Sequence, residues 1–151
     1  MFKKFPFKNN SFDTTFCFQA MYHGRLEQIM YCLSEIKRVT KDNGYFFGTF
    51  MSHEENIKYD KKEKSFFFYV QPTEKKRFKA WIKQDEAEPH LFYFLSKDWE
   101  YMVPHYYFTK DELKVILNQF FKEVNIKLVK NKIKGRAGFW FVACKGMKNE
   151  I

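Results

Sequence analysis

Between Arg25 and Thr40, apolar residues recur with the period of a helix. The recurring positions are Leu26, Ile29, Met30, Leu33, Ile36 and Val39. This spacing places them on one stripe of an amphipathic helix that faces a core. Two nearly continuous apolar runs flank the helix, Thr14 to Phe18 and Tyr45 to Phe50. Because such runs are typical of strands buried on both faces, the pattern predicts a β-α-β unit.

Polar residues mark the connections within this unit. The segment from Gln19 to Gly24 leads from the first strand into the helix. Asn43 and Gly44 stand between the helix and the second strand. Since both residue types readily adopt left-handed backbone angles, we expect this pair to stop the helix and turn the chain.

Regular periodicity returns near the carboxyl terminus. Thr109 and Glu112 fit a capping box, in which the hydroxyl accepts from a free amide and the carboxylate reaches back. The buried stripe of the helix that follows is predicted to be Leu113, Ile116, Leu117 and Phe120. An alternating strand is predicted from Val124 to Leu128, then a polar turn from Lys130 to Arg136 and a final apolar strand from Gly138 to Cys144.

The middle of the chain, residues 52–106, has no single period. Charge-rich stretches alternate there with aromatic runs, of which Ser65 to Val70 and Leu91 to Leu95 are candidate strands. We interpret residues 52–106 as a variable insert within one domain that covers all 151 residues.

The composition indicates a globular protein with reduced thiols. A hydrophobic fraction of 45% and a charged fraction of 30% indicate a globular domain. Three widely spaced cysteines, Cys17, Cys32 and Cys144, fit neither a disulfide framework nor a metal site, so we expect reduced thiols. The chain shows neither a signal-like apolar run at its start nor a stretch of about 20 apolar residues, and we expect a cytoplasmic protein without a membrane partner.

The net charge of +9 attracts polyanions, which keeps a basic RNA-binding protein open as a third hypothesis. Only 4 of the 27 basic residues are Arg, the residue best suited to bidentate phosphate or base contacts. No ribonucleoprotein, KH or zinc-finger signature is present. We therefore do not expect nucleic acid to be the partner.

Several short motifs occur in a characteristic order. They are Phe5-Pro6-Phe7, Ser11-Phe12-Asp13, Ser34-Glu35-Ile36-Lys37-Arg38-Val39, Pro104-His105-Tyr106-Tyr107-Phe108-Thr109, Asp111-Glu112-Leu113 and Gly138-Phe139-Trp140. Together they resemble the carboxyl-terminal half of a class I S-adenosylmethionine-dependent methyltransferase of the ubiquinone/menaquinone-biosynthesis type. The resemblance implies an α/β fold, a partial Rossmann-like sheet of the family's fourth to seventh strands. Their spatial order would be 4-5-7-6, with strand 7 antiparallel.

The resemblance also implies which residues would face S-adenosylmethionine. Phe2 and Phe5 match apolar positions that flank the adenine, and Phe18 and Gln19 match the end of the family's fourth strand. His23 matches a common histidine of the helix-entry segment. Core packing for the phenylalanines, and a backbone contact at the turn for His23, are the alternatives.

The family's main cofactor determinants lie in its first half. This sequence contains no G-x-G turn, and the acidic positions for ribose and adenine have no counterpart. We therefore expect a truncated domain that binds the cofactor poorly and is inactive alone.

His105 is the predicted general base, and Tyr106 and Tyr107 are the predicted walls of a substrate pocket. Packing of the insert onto the sheet is the alternative for all three. His53 and His90 lie among charged residues and are expected to be exposed. The four histidines lack the spacing of a metal site, so no metal is expected.

One further functional alternative remains open beside methyl transfer to an unknown acceptor and RNA binding. It is a non-catalytic module that pairs with an intact methyltransferase or another protein. The strand from Thr14 to Phe18 should be an open sheet edge, through which either a homodimer or a missing amino-terminal half could attach.

Overall fold

A computed structural model describes residues 3–70, 78–95, 101–130 and 138–148. Three helices are present in this part of the chain: α1 (Leu26–Val39), α2 (His53–Asn56) and α3 (Lys110–Leu117). The strands are β1 (Phe12–Cys17), β2 (Thr40–Ser52), β3 (Lys58–Asp60), β4 (Ser65–Val70), β5 (Phe78–Gln84), β6 (Leu91–Phe94), β7 (Pro104–Phe108), β8 (Phe121–Val129) and β9 (Phe139–Met147).

The body of the molecule is a sheet in the order β1-β2-β9-β8. β1 and β2 run parallel, with Phe16 opposite Phe47, while β9 is antiparallel to both β2 and β8. This arrangement confirms the predicted order 4-5-7-6 with an antiparallel strand 7. The parallel pair is joined by α1, as the β-α-β pattern predicted.

The segment between β2 and α3 forms an antiparallel extension of this sheet, in the order β3-β4-β5-β6-β7. It joins the body because the end of β2 pairs in parallel with β7, Met51 opposite Tyr107 and Ser52 opposite Phe108. The strands predicted at 65–70 and 91–95 are present as β4 and β6. β3, β5 and β7 were not predicted, and most of the predicted turn at 130–136 lies outside the described residues.

The main core lies between one face of the sheet and the two longer helices. The stripes of α1 and α3 supply its buried residues, which include Ile29, Leu33, Ile36, Leu113, Ile116 and Leu117. Phe46 and Phe50 of β2 meet them from the sheet. The amphipathic patterns read from the sequence therefore identify the correct helix faces.

The turn predicted at Asn43 and Gly44 is wrong, because both residues lie inside β2. The helix ends instead where Thr40 becomes extended, and the Thr40 hydroxyl donates to the Ile36 carbonyl at 2.7 Å. Between the pairs Phe12–Thr40 and Thr14–Tyr45, β2 contains more residues than β1. The β1–β2 ladder is irregular at this point.

Cys32 and Cys144 are buried and Cys17 is half-buried, and all three are free thiols. Burial raises the pKa of Cys32 to about 11 and that of Cys144 to about 12. None of the helices in the described ranges is long and apolar enough to cross a membrane.

Candidate functional site

The carboxyl end of β1 is shaped by an unusual backbone conformation at Gln19. Its φ of 53° lies in the left-handed region, and its amide donates to the Thr49 hydroxyl of β2 at 2.8 Å. Phe18 stays on the sheet face away from the helices, where its ring stacks on Phe141 with centroids 6.3 Å apart. The chain therefore leaves β1 sharply and turns towards the insert.

The loop that follows docks on β7. The Tyr106 amide donates to the Tyr22 carbonyl at 2.8 Å. The His23 and His105 rings meet edge to face, with centroids 4.6 Å apart, and the Tyr22 ring lies 4.4 Å from that of His23. Two predicted site residues, distant in sequence, are thus brought together beyond the carboxyl end of β1.

His105 is 2% exposed, and Phe94 packs against its ring at 4.9 Å. Its Nδ1 lies 3.0 Å from the Val103 carbonyl oxygen. Since a carbonyl oxygen only accepts hydrogen bonds, Nδ1 carries a proton, and in a neutral ring Nε2 would then be the acceptor. That tautomer is the one required of a base acting through Nε2. Its catalytic role stays a prediction.

The two predicted pocket tyrosines lie on opposite faces of β7. Tyr107 is fully buried in the core of the insert, with its ring edge to face against Phe92 at 5.6 Å. Tyr106 is 4% exposed and belongs to the main core with Phe108. Both side chains are packed in this structure, and their role as pocket walls stays a prediction.

A second polar cluster lies around the first turn of α3. Glu112 accepts from the Tyr106 hydroxyl at 2.6 Å through Oε1, and its Oε2 lies 2.7 Å from His90 Nδ1. Burial and the Glu112 carboxylate raise the pKa of Tyr106. Thr109 does cap the helix, accepting from the Glu112 amide at 3.3 Å. Glu112 itself joins α3 to the insert, whereas the sequence predicted that it would reach back to Thr109.

His53 and His90 are half-buried, which corrects the expectation that both are exposed. Their rings lie 5.2 Å apart, and burial together with His90 lowers the pKa of His53. The residues come together because His53 follows β2, while the His90 carbonyl accepts from the Tyr107 amide of β7. This contact depends on the pairing of β2 with β7, which the sequence pattern does not reveal.

Arg25 fastens the insert to the start of α1. Its guanidinium contacts Glu88 at 2.7 Å and Asp85 at 3.1 Å, and it donates to the Tyr93 hydroxyl. The other Glu88 oxygen accepts from the Leu26 amide at 3.0 Å, so it caps α1. The insert is therefore held against the same end of the sheet as the histidines.

The residues predicted to bind the cofactor lie in different surroundings, and their role stays a prediction. Phe5 lines a groove between β1 and α1, whereas Phe18 lies on the opposite face of the sheet and His23 contacts the insert. Phe2 lies outside the described residues. Among the described residues, no group of three or more His, Cys, Asp or Glu is placed to hold a metal ion.

Residues 1–48 match a family model described as a methyltransferase domain. This part of the chain is therefore similar to the methyltransferase-domain family. No curated protein matches the chain. The motifs that carried the resemblance in the first fifty residues coincide with the matched segment.

Solved structures of methyltransferases share the fold of this chain. One is the 1,6-didemethyltoxoflavin-N1-methyltransferase of Burkholderia thailandensis, solved with bound 1,6-didemethyltoxoflavin and S-adenosylhomocysteine. It has a TM-score of 0.58 and 14% sequence identity, and the match covers 91% of this chain and 45% of that chain. A protein of Pyrococcus horikoshii has a TM-score of 0.59 and 14% sequence identity, and the match covers 94% of this chain and 55% of that chain. An S-adenosylmethionine-dependent methyltransferase of Methanosarcina mazei has a TM-score of 0.53 and 16% sequence identity, and the match covers 95% of this chain and 64% of that chain. The chain thus spans about half to two thirds of these structures.

Proposed function

We propose that this chain is the carboxyl-terminal, acceptor-side portion of an S-adenosylmethionine-dependent methyltransferase of the cytoplasm. In this proposal, a complementary amino-terminal portion carries most of the cofactor site. The chain alone then binds the cofactor weakly or not at all and transfers no methyl group.

The observation that carries the proposal is the placement of the histidine pair on a methyltransferase-type sheet. His23 and His105 meet beyond the carboxyl end of β1, and Glu88 of the insert is paired with Arg25 at the start of α1. Open α/β sheets bind their ligands at the carboxyl ends of the strands. This position supports the proposed role of the pair in holding a methyl acceptor.

The described residues do not by themselves fit the whole cofactor. The candidate residues Phe5 and Phe18 face opposite sides of the sheet. Two carboxylates near β1 already have partners: Glu35 binds Arg38, and Asp13 binds Lys41. The sequence supplies no Gly-rich turn for the methionine portion. No step through the cofactor is assigned to this chain on its own.

The role assigned to this chain is to position the acceptor and to move its proton. In this role the insert would exclude water from the carboxyl ends of the strands and favour alignment of the reacting groups. His105 accepts a proton at Nε2 if the acceptor is a hydroxyl or an amine. Because the His105 ring is 2% exposed, a neighbouring segment has to move before the ring can meet the acceptor.

A non-catalytic binding module is the second candidate, and the burial of the predicted site supports it. His105 is 2% exposed and Tyr107 is fully buried, so packing alone explains both residues. In that case, the methyltransferase-type sheet would serve only as a scaffold for a partner.

Purification of the tagged chain from its natural host separates the two candidates. We expect a stoichiometric polypeptide with a Gly-x-Gly turn to co-purify, and the eluate to transfer tritium from labelled S-adenosylmethionine into an endogenous acceptor. A stoichiometric partner without methyl transfer would favour the binding module. Methyl transfer by the chain alone would contradict the proposed division.

A further inference from the structure

A second cluster of titratable side chains, apart from the His23–His105 contact, has no role in the proposed transfer so far. It is formed by His53, which follows the last residue of β2, by Tyr106 of β7, by Glu112 in the first turn of α3 and by His90. His90 is held there because its carbonyl accepts from the amide of residue 107 in β7 at 2.8 Å. The cluster lies beyond the carboxyl ends of β2 and β7, the end of the sheet at which open α/β folds bind ligands.

Glu112 fixes the orientation of the His90 ring. Its Oε2 lies 2.7 Å from His90 Nδ1, and its Oε1 accepts from the Tyr106 hydroxyl at 2.6 Å. Tyr106 is buried in the main core, so the carboxylate is anchored from below. Because an ionised carboxylate only accepts hydrogen bonds, His90 Nδ1 carries a proton, and in a neutral ring Nε2 would then be an acceptor.

The half-buried His53 ring supplies a further acceptor. Its centroid lies 5.2 Å from that of His90 and 6.1 Å from that of Phe92. Burial and the neighbouring His90 lower the pKa of His53, so this ring is neutral at neutral pH. Within the part of the chain that the structure describes, neither the His53 ring nitrogens nor His90 Nε2 has a hydrogen-bond partner. These nitrogens are therefore available to a ligand.

The charges around the two rings favour a cation. Among the described residues, the charged groups that act on the His53 ring are the carboxylates of Glu54 and Glu112 and the ammonium group of Lys58. With both rings neutral, two negative charges face one positive charge. This cluster is thus locally negative in a chain whose net charge is +9. A cationic ligand is attracted to such a position and an anionic one is repelled.

We propose that this cluster recognises an ammonium group, so that the methyl acceptor is an amine. An ammonium group has only donors and a positive charge, which complements imidazole acceptors beside a carboxylate. The side chains of His90 and Glu112 are 28% and 24% exposed, so a ligand can reach them without a movement of the insert. The assignment rests on the proposed function, since it names the acceptor class of that reaction.

Two other roles fit the cluster less well. Among the described residues, no group of three or more His, Cys, Asp or Glu is placed to hold a metal ion, and both Glu112 oxygens already have partners. A purely structural role would only tie α3 to the insert through Glu112. It predicts a loss of stability when Glu112 is replaced, but no response of the histidine rings to a cation.

The probe is n-butylammonium chloride, titrated at neutral pH into the full, isotope-labelled chain without cofactor. We expect saturable shifts of the His53 and His90 ring signals in NMR spectra. Tetramethylammonium should bind about tenfold more weakly, because it has the same charge but no N–H group to donate. Glu112→Gln should also weaken butylammonium binding by about tenfold, since it removes the charge and leaves an oxygen to accept from His90.

Asp111→Asn is the matched control, because Asp111 is an exposed carboxylate in the same turn of α3. His53→Phe is a second test variant, which keeps a ring beside Phe92 and removes the acceptor nitrogens, so it should weaken binding as well. The absence of a saturable shift with butylammonium would overturn the proposal. Equal binding of the two cations, or equal effects of Glu112→Gln and Asp111→Asn, would also overturn it.

Methyl transfer does not enter the titration, so the two proposals fail separately. An active purified complex whose acceptor contains no amine would overturn the assignment of the acceptor class and leave the proposed function intact. A purified complex without methyl transfer would overturn the proposed function, while the titration would still decide whether the cluster recognises an ammonium group.

Discussion

At the scale of single residues, Glu35 is the buried carboxylate that holds the amino-terminal segment on α1. Arg38 donates to both of its oxygens, at 2.7 and 2.8 Å, and these hydrogen bonds lower the pKa of Glu35 to about 2. We predict that Glu35→Gln lowers the free energy of unfolding at neutral pH by on the order of 2 kcal/mol, because charge-assisted hydrogen bonds are lost. Urea unfolding measures the change, with Glu27→Gln as the exposed control on the same helix.

The same residue predicts a pH dependence. A carboxylate whose folded pKa is about 2 and whose unfolded pKa is about 4.3 stabilises the fold above the unfolded value. That stabilisation is lost as the pH falls towards the folded pKa. The difference between wild type and Glu35→Gln should therefore be largest near neutral pH and shrink between about pH 4 and pH 2. A difference that stays constant over this range would contradict the assignment.

His105 is the residue on which the catalytic proposal can be tested. In a complemented, active enzyme, we predict that His105→Ala lowers the single-turnover rate by about a hundredfold and changes cofactor affinity much less. His105→Asn is the control, because its amide can still donate to the Val103 carbonyl that His105 Nδ1 contacts at 3.0 Å. If Asn restores thermal stability and also the rate, His105 acts through packing alone.

At the scale of elements, hydrophobic periodicity predicted α1, α3 and the strand pattern of the body well, because each buries one defined face. The error at Asn43 and Gly44 has a geometric cause. Gly44 is required by close backbone approach, since a Cβ there would lie 2.8 Å from the Asp13 oxygen and 2.9 Å from that of Lys41. The sequence shows a glycine at this position. It does not show whether the glycine serves a turn or a close approach of two backbone segments.

That contact gives a prediction for the β1–β2 irregularity. Gly44→Ala should destabilise the fold by roughly 1–3 kcal/mol, because the added methyl group meets backbone atoms that cannot rotate away. Asn43→Ala is the control, since the Asn43 side chain is exposed beside it. Chemical unfolding of both variants checks the prediction, and equal stability of the two would count against the close approach.

At the scale of the whole molecule, the family resemblance yielded the sheet order, whereas the composition of the insert gave only two of its five strands. The reason is that β7 attaches to the last two residues of β2, a long-range pairing that leaves no local pattern. The same pairing brings His53 to His90 and His105 to His23. The sequence could therefore nominate His23 and His105 separately, but it could not show that they meet or that His105 is buried.

Cofactor binding by the isolated chain tests the central claim most directly. The measurement is a calorimetric titration of the purified chain with S-adenosylmethionine, repeated with S-adenosylhomocysteine. We predict no saturable heat for either ligand, because the sequence has no Gly-rich turn and the residues matched to the cofactor lie on different faces of the sheet. Saturable micromolar binding with one ligand per chain would contradict the account, since it would show that this chain forms a cofactor site unaided.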